Sequence, residues 1–293
     1  MDSKPMRIGI TGASGFIGSR LAAALANRPD EYVVSVFRRR NAAQPPDLTD
    51  FKSFVEDKDL IYHLAGVNRG TDEEILQGNI LFSFRLTQAV KTFGKPARIV
   101  FASSAQVYKP ARKTAPLRET HPAEPVSLYG VCKKAAEDLI RLSGLDYTLL
   151  RLANVYGPGC RPYYNSVVAT FCDRAARNLP LFVNGDGTQG RDFIYIDDAV
   201  RALELAGMQR GKSTQTVFNV SSGKASTLRQ VLRNIRRCLP ESEATYQKAA
   251  SPGGPSYCCD NARFMKQYGW KPKTTLAKGI GNTIQWVQEK VLT

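Results

Sequence analysis

Histidine and paired cysteine are scarce in this sequence. It contains two histidines, and none of its six cysteines forms a CxxC pair. Zinc sites are built from closely spaced His and Cys ligands, so we expect no metal site. We interpret the cysteines as reduced thiols that serve packing rather than disulfide formation.

Long apolar segments are also missing. The sequence has no stretch of about 20 apolar residues, the length that a membrane-spanning helix requires. The first ten residues, MDSKPMRIGI, lack the apolar segment and the small-residue cleavage site of a signal peptide. We therefore expect a cytoplasmic protein that has no membrane partner and folds into one or two domains.

Acidic residues are outnumbered by basic ones. The 26 Asp and Glu residues face 41 Lys and Arg residues, which gives a net charge of +15. Such a surface attracts phosphorylated ligands and other anions. The basic residues are dispersed, however, without a run of five or more and without RNA-binding or zinc-finger spacing. We expect no nucleic-acid partner, and the simplest interpretation of the excess is a solvated basic face.

Apolar runs and helical patterns alternate along the first half of the chain. Strands are predicted at residues 6–11, 32–37, 60–65, 97–104 and 146–152, and helices at 16–28, 73–93 and 127–143. Continuous apolar strands that alternate with helices predict a parallel sheet covered on both faces. After residue 155 Pro, Gly and Asn accumulate, and further helices are predicted at 166–178, 197–207, 227–238 and 276–291, with a strand at 216–221.

Three glycines separate the first predicted strand from the first helix. In ITGASGFIGSR they are Gly12, Gly15 and Gly18. At this place Gly12 allows a tight turn, Gly15 lets the backbone approach a phosphate, and Gly18 lets the helix pack against the strand. The N–H groups at the start of the helix then hold the anion. This pattern predicts a dinucleotide-binding domain over residues 1–155, followed by a mainly substrate-binding domain over 156–293.

The second predicted strand ends without a carboxylate. Sites for NAD usually place Asp or Glu here to bind the ribose 2′-hydroxyl, whereas sites for NADP use a nearby Arg. The position falls at Phe37 or Arg38, and Arg39 and Arg40 follow. We infer NADP rather than NAD as the cofactor. The alternative is that the arginines form only a basic loop.

A serine, a tyrosine and a lysine have the spacing of an oxidoreductase site. Ser104 ends the fourth predicted strand, and Tyr129 and Lys133 project from one face of a predicted helix. A lysine ammonium lowers the pKa of a neighbouring phenol, which can then act as general acid or base. Together with a nicotinamide, these groups suit hydride transfer to or from a carbonyl carbon.

These motifs resemble those of the extended short-chain dehydrogenase/reductases that act on nucleotide sugars. The resemblance covers nearly the whole chain and includes HLAG (63–66), LRLANVYGPG (150–159), GDGTQGRDFIYIDDAV (185–200) and YGWKPKTTLAKGI (268–280). It implies a Rossmann-type, doubly wound α/β fold with a smaller C-terminal α/β domain. It also implies catalytic roles for Ser104, Tyr129 and Lys133, a nucleotide-sugar substrate, and a homodimer formed through the helix that carries Tyr129.

The resemblance further implies which residues bind the cofactor. Asp47 matches a position that contacts the adenine, the loop after the third strand covers the cofactor, and Lys133 also holds the nicotinamide ribose. With the arginines noted above, the expected cofactor-binding residues are Gly12, Ser14, Gly15, Phe16, Ile17, Gly18, Arg38, Arg39, Asp47, Leu48, Leu64, Ala65, Gly66, Asn79, Ser103, Tyr129 and Lys133.

For the substrate, the resemblance implies that Asn154 and Arg191 hold the diphosphate of the sugar nucleotide. The family often has a second phosphate-binding arginine before a Pro-Gly pair, where this chain has Ser251. The candidates to replace it are Arg69, Arg161 and Arg263.

Local departures from the family pattern bear on the reaction. The 4,6-dehydratases carry an Asp-Glu pair directly after the catalytic Ser or Thr, and the epimerase-reductases that make fucose nucleotides carry a Cys there. This chain has Ala105 and Gln106, which cannot transfer protons. A 4-ketoreductase and a 4-epimerase with bound NAD(P) remain, and the absent carboxylate at Phe37 or Arg38 favours the reductase. A non-catalytic NADP-binding regulatory protein is the third possibility, and the intact catalytic residues argue against it.

Overall fold

The computed structural model describes residues 4–39, 45–109, 115–164, 166–208, 215–248 and 256–291. Two positions discussed above, Arg40 and Ser251, lie outside the described residues. The strands are, in chain order, β1 (Met6–Thr11), β2 (Tyr32–Val36), β3 (Leu60–His63), β4 (Arg98–Ser104), β5 (Tyr147–Leu152), β6 (Asn154–Tyr156), β7 (Leu181–Asn184), β8 (Gly190–Tyr195), β9 (Thr216–Val220), β10 (Ala225–Thr227) and β11 (Ala244–Gln247).

Ten α-helices are found in the described residues. In chain order they are α1 (Phe16–Ala26), α2 (Lys52–Val55), α3 (Asp72–Leu76), α4 (Phe82–Phe93), α5 (Leu128–Leu142), α6 (Val167–Ala176), α7 (Ile196–Met208), α8 (Leu228–Cys238), α9 (Ala262–Tyr268) and α10 (Leu276–Val291).

The main sheet has the parallel arrangement that the sequence predicts. Within the described residues six strands join in the order β2-β1-β3-β4-β5-β9. Ile8 of β1 pairs in parallel with Val34 on one side and with Leu60 on the other. The α/β fold class is therefore confirmed. Because β2 and β3 flank β1, the winding of the chain reverses there, and ligands of such sheets bind beyond the carboxyl ends of the strands at this point.

Apolar side chains from the strands and helices form the core around this sheet. All four residues of β3 are buried, as expected for a strand covered on both faces. One cluster joins Ile61 of β3 to Phe54 of α2 and Leu86 of α4. Another joins Phe101 of β4 to Ala136 of α5.

The single helix predicted over residues 73–93 is interrupted. The structure has α3, then a π-helical turn at Gln77–Leu81, then α4. Periodicity indicates helix throughout, but it does not reveal the wider turn, since one such turn only shifts the apolar positions slightly. A π-helical turn inside an α-helix is frequently found at a functional site, and this one contains Asn79.

The chain divides into two compact units. The first contains Met1–Lys109, Pro122–Arg151 and Val200–Phe218, and the second contains Pro110–His121, Leu152–Ala199 and Asn219–Thr293. In the second unit β10, β8 and β6 form one small sheet, and β11 and β7 form another. The assignment of dinucleotide binding to residues 1–155 and of substrate binding to 156–293 stays a prediction.

A helix that crosses a lipid bilayer has to be both long and apolar. In the part of the chain that the structure describes, none is both long enough and apolar enough to span a membrane.

Candidate active site

The glycine turn after β1 brings three segments of backbone into close contact. Gly12 has a φ of +75°, and a Cβ on it would lie 2.6 Å from the backbone nitrogen of Ala65. A Cβ on Gly18 would overlap the carbonyl oxygen of Gly12. Gly15 is the N-cap of α1, and no side chain caps this helix. The turn therefore has the shape expected of a phosphate cradle at a helix N-terminus.

One apolar residue and two cationic residues directly follow β2. The ring of Phe37 stacks on that of Phe51, with centroids 4.4 Å apart, and packs against the core. Arg38 and Arg39 are exposed, and the guanidinium of Arg39 lies 5.6 Å from the ring centroid of Phe82. Phe37 is thus a packing residue, whereas the two arginines present positive charge to solvent.

Asp47 caps a short 3-10 turn, and its side chain is exposed. One carboxylate oxygen accepts the N–H groups of Thr49 and Asp50 and the hydroxyl of Thr49. The hydroxyl of Thr49, followed by these backbone N–H groups, lowers the pKa of Asp47 below its usual value. The next residue, Leu48, packs against the core.

Lys133 places an ammonium group in the interior, at the end of β4. Its Nζ donates to the carbonyl of Ala102 at 2.9 Å and lies 4.6 Å from the ring centroid of Phe101. Burial lowers the pKa of Lys133 to about 8, although the charge of Glu137 acts in the opposite direction. A Cβ on Gly66 would lie 3.1 Å from Nζ and 2.8 Å from Oδ1 of Asn79, so a side chain at this position would have to displace these groups.

Tyr129 lies one turn before Lys133 on α5, and Ser104 is the last residue of β4. The Tyr129 ring centroid is 5.8 Å from Nζ of Lys133. Ser104 Oγ accepts the N–H of Gln106, which leaves the hydroxyl hydrogen out of that bond. Gly130 of α5 packs directly on the carbonyl oxygen of Gln106. The 3-10 turn that follows Ser104 therefore abuts the first turn of α5, where Tyr129 lies.

A buried ion pair ties α5 to the neighbouring strands. Glu137, one turn after Lys133, accepts two hydrogen bonds from Arg151 of β5, at 3.0 and 2.7 Å. It also accepts the hydroxyl of Ser103 at 2.6 Å. All three side chains are almost completely buried. Ser103, predicted to bind the cofactor, thus directs its hydroxyl to α5.

In the second unit, the predicted diphosphate ligands lie around one tyrosine. Asn154 Nδ2 donates to the hydroxyl of Tyr257 at 3.1 Å and to the carbonyl of Asp192 at 2.9 Å. The guanidinium of Arg191 lies 5.4 Å from the ring centroid of Tyr257. Burial raises the pKa of Tyr257, so its phenol stays neutral. Asn154 and Arg191 are thus brought together, as predicted.

The carboxylate of Asp192 holds the backbone beside this cluster. It accepts the N–H groups of Ser222, Gly223 and Cys259 and the hydroxyl of Ser222, at 2.6 to 3.2 Å. Burial raises the pKa of Asp192, although these hydrogen bonds act in the opposite direction.

The other predicted arginines are exposed side chains. Arg69 and Arg263 lie at the surface, and the guanidinium of the exposed Arg161 is 5.8 Å from the ring centroid of Tyr164. The remaining predicted cofactor residues lie at the glycine turn or just after β3, and they are Ser14, Phe16, Ile17 and Leu64.

Comparison with known proteins gives the family. The model of the NAD dependent epimerase/dehydratase family matches residues 8–221. This chain belongs to that family. The resemblance seen in the sequence is confirmed, and the chain is an enzyme of a group that includes nucleotide-sugar epimerases, reductases and dehydratases.

Individual members of the epimerase/dehydratase family match over different lengths. A UDP-2-acetamido-2,6-beta-L-arabino-hexul-4-ose reductase of Pseudomonas aeruginosa is 32% identical over 246 residues, 80% of this chain and 59% of that protein. A UDP-glucose 4-epimerase of Mycolicibacterium smegmatis is 30% identical over 316 residues, 97% of this chain and 99% of that protein. The structure of a UDP-glucose 4-epimerase from Thermotoga maritima with UDP-glucose is 27% identical, with a TM-score of 0.86, over 98% of this chain and 100% of that chain. This chain thus spans less than two thirds of the length of the reductase.

The residues present fit the dinucleotide that the epimerase/dehydratase family uses. Gly12 and Gly66 stand where any side chain would fill the cradle. Asn79 Nδ2 donates to the carbonyls of Val67 and Ile75, while its buried Oδ1 has no hydrogen-bond partner among the residues that the structure describes. A buried acceptor without a partner is costly, and a ligand hydroxyl would satisfy it.

Several residues that support the candidate positions within each unit escape the sequence analysis. They are Thr11, Ser83, Glu137, Asp192 and Tyr257, which act through buried hydrogen bonds. Glu137 carries a usable signal, because it continues the four-residue spacing of Tyr129 and Lys133 on one helix face. Thr11 and Ser83 carry no such signal, since their partners lie on distant segments.

The burial of Lys133 predicts a pH-dependent stability difference. Its pKa falls from 10.5 in the unfolded chain to about 8 in the folded protein, so the unfolded chain binds more protons between these values. The free energy of unfolding of the parent therefore gains about 3 kcal/mol from this group as the pH rises from below 8 to 10.5. Lys133→Met lacks this gain. The free energy of unfolding of the variant, measured with urea, should therefore drop relative to that of the parent by about 3 kcal/mol between pH 8 and 10.5.

Lys134→Met is the matched control for this measurement. Lys134 is partly exposed and pairs with Asp138 at 2.5 Å, and a surface pair of this kind contributes about 1 kcal/mol or less. A pH-independent difference between Lys133→Met and the parent would contradict the burial of a titrating ammonium.

Proposed function

We propose that this chain is an NADP(H)-dependent oxidoreductase that acts at C4 of a nucleotide-linked sugar, as a 4-ketoreductase. The observation that carries the proposal is the buried ammonium of Lys133 with the Tyr129 ring one helical turn away. The 3-10 turn that follows Ser104 packs against the same end of α5. A proton donor, a cation beside it and a hydroxyl are the groups that reduction of a carbonyl requires.

Each residue then has a defined part in the reduction. The bound nicotinamide supplies the hydride that adds to the carbonyl carbon. Tyr129 donates its phenolic proton to the carbonyl oxygen, and the ammonium of Lys133 stabilises the phenolate that remains. Ser104 donates a hydrogen bond to the same oxygen and keeps it aligned with Tyr129.

The turn after Ser104 argues against a dehydratase. Ala105 is buried, and the side-chain carbonyl of Gln106 lies 3.2 Å from the hydroxyl of Ser127. Removal of a sugar hydroxyl as water needs a general acid and a base close to C5 and C6, and these two positions offer neither.

A 4-epimerase is the second candidate. This candidate is favoured by the match to the Mycolicibacterium smegmatis epimerase, because the match covers 99% of the length of that epimerase. An epimerase returns its hydride to the sugar and consumes no reduced cofactor, whereas a reductase consumes one NADPH for each sugar. Measuring NADPH consumed per sugar converted therefore separates the two.

We further propose a homodimer formed through α5. The support is the exposure of apolar side chains on this helix, 46% for Val131 and 84% for Leu142. Covering these side chains with a second copy of the helix would remove their apolar surface from water.

The chemistry is tested by Tyr129→Phe. This variant keeps the ring but removes the transferable proton, so the turnover rate should fall by about 100- to 10000-fold. Ser104→Ala should lose less, since it removes only a hydrogen bond. NADPH oxidation with a nucleotide 4-keto-6-deoxysugar is the assay, and binding of both ligands to Tyr129→Phe, measured by calorimetry, is the control. Turnover by Tyr129→Phe close to that of the parent would rule out the mechanism.

The cofactor preference is tested by titration with NADPH and NADH. We expect NADPH to bind more tightly, since Arg38 and Arg39 are exposed cations at the end of β2. Contacts of these residues with a 2′-phosphate contribute on the order of 1.5–3 kcal/mol, so Arg38→Ala or Arg39→Ala should remove roughly tenfold or more of the preference. Arg20→Ala, an exposed cation on α1, is the control. Equal affinities of the parent for both dinucleotides would overturn the assignment to NADP.

The substrate role of the Arg191 cluster is tested by Arg191→Ala. A planar guanidinium suits a diphosphate, and the guanidinium of Arg191 lies over the ring of Tyr257. We expect affinity for UDP- or dTDP-sugars to fall by about tenfold or more, with NADPH affinity unchanged. Arg233→Ala, which changes an exposed arginine on α8 of the same unit, is the control. Loss of NADPH affinity in Arg191→Ala would instead place this residue at the cofactor.

A further inference from the structure

A chain of buried hydrogen bonds runs between the ends of β1 and β3 and the start of α4. Thr11 Oγ1 lies 2.9 Å from Nδ1 of His63, and Nε2 of His63 lies 2.8 Å from Oγ of Ser83. All three side chains are fully buried. Neither the catalytic steps proposed above nor the predicted ligand set uses any of them.

The outer contacts of this chain settle the direction of every bond in it. Ser83 donates its hydroxyl hydrogen to the carbonyl of Asn79 at 2.6 Å. Its oxygen must therefore accept from His63, which places the ring proton on Nε2. Nδ1 is then an acceptor, so Thr11 donates to it, and the Thr11 oxygen accepts the N–H of Ala65 at 3.3 Å.

Both ends of the chain are backbone groups beside the candidate cofactor site. Ala65 is the residue whose nitrogen lies closest to the position of a Cβ on Gly12. Asn79 is in the π-helical turn, and its unpartnered Oδ1 lies next to Gly66. The chain thus joins the loop after β3 to the π-helical turn through a single imidazole.

We propose that Thr11, His63 and Ser83 act as positioning residues, holding the backbone at Ala65 and at Asn79 in the geometry that binds the dinucleotide. The proposal rests on the proposed function in so far as it assigns the dinucleotide to this place. None of the three side chains has to touch the ligand, since together they fix the backbone at Ala65 and at Asn79.

The imidazole is suited to this role because it stays neutral. Burial, followed by the charge of Lys133, lowers the pKa of His63 to about 3. The rings that pack on it, Phe82 of α4 and Phe101 of β4, are apolar, with centroids 5.5 and 5.0 Å away. A protonated ring would donate from both nitrogens, so the bond to Thr11 would reverse and the Thr11 hydroxyl hydrogen would lose its acceptor. The neutral form is therefore the one that fits the chain.

The first test is direct observation of the ring. The chain has two histidines, so protein labelled with ¹⁵N-histidine gives two imidazole signals, and a His121→Gln variant assigns them. We expect His63 to show a protonated Nε2, an unprotonated Nδ1 and no titration between pH 5 and 8, the range in which an ordinary histidine titrates. A proton on Nδ1, or titration of this ring in that range, would overturn the proposal.

The second test separates positioning from stability. Thr11→Val removes the hydroxyl and leaves both Nδ1 of His63 and the N–H of Ala65 without a partner, and we expect the Kd for NADPH and NADH to rise about tenfold or more. Thr11→Ser keeps the hydroxyl and should restore most of the affinity. Thr87→Val is the matched control, because Thr87 is equally buried and donates to the carbonyl of Phe84 within α4. We expect it to lower the melting temperature but not the affinity.

The outcomes distinguish this proposal from the proposed function. Unchanged affinity in Thr11→Val, or an equal loss in Thr87→Val, overturns the positioning role even if the parent binds the dinucleotide. A parent that binds neither NADPH nor NADH overturns both the proposed function and the claim that the chain positions such a ligand. The NMR result then shows separately whether the hydrogen bonds run in the stated direction.

Discussion

The burial of the Lys133 ammonium is the constraint on which the candidate active site depends. A charged group that leaves water must be compensated, and here the carbonyl of Ala102 and the face of the Phe101 ring contact the ammonium. This compensation is incomplete, as the lowered pKa of Lys133 shows. The position is available only because β4 supplies both contacts and because Gly66 has no side chain to occupy the same space. The burial of this ammonium therefore costs stability.

That arrangement requires α5 to be held against β4 in one register. The Glu137–Arg151 pair does this, because Glu137 also accepts the hydroxyl of Ser103, the neighbour of Ser104. A buried ion pair adds little net stability compared with apolar packing, but loss of either partner leaves an uncompensated charge. The main effect of the pair is therefore to align α5, which carries Tyr129 and Lys133, with β4, which ends at Ser104.

The fold was largely predictable from the sequence, and the site was predictable in part. Continuous apolar strands and the glycine turn are local signals, and the parallel sheet follows from them. The spacing of Tyr129 and Lys133 likewise indicates a shared helix face. Local sequence patterns carry no information about contacts between residues that are far apart in the chain. The bond between Asn154 and Tyr257 joins residues 103 positions apart, and neither motif indicates it. The strands β6, β7, β8, β10 and β11 were missed for the same reason, since their pairing is made by distant segments.

The π-helical turn at Gln77–Leu81 shows how such long-range demands alter local structure. An uninterrupted α-helix over residues 73–93 satisfies the hydrophobic pattern, yet the chain adopts a wider turn that is rare and has poorer packing. This turn lets Asn79 use its carbonyl for Ser83 and its amide for Val67 and Ile75, while Oδ1 stays beside Gly66. The backbone carbonyl, the side-chain amide and Oδ1 of Asn79 thus each have a different neighbour. The regular helical pattern of the sequence does not account for this combination of contacts. The irregular turn is thus best understood as the local consequence of placing Asn79 between the core and the site.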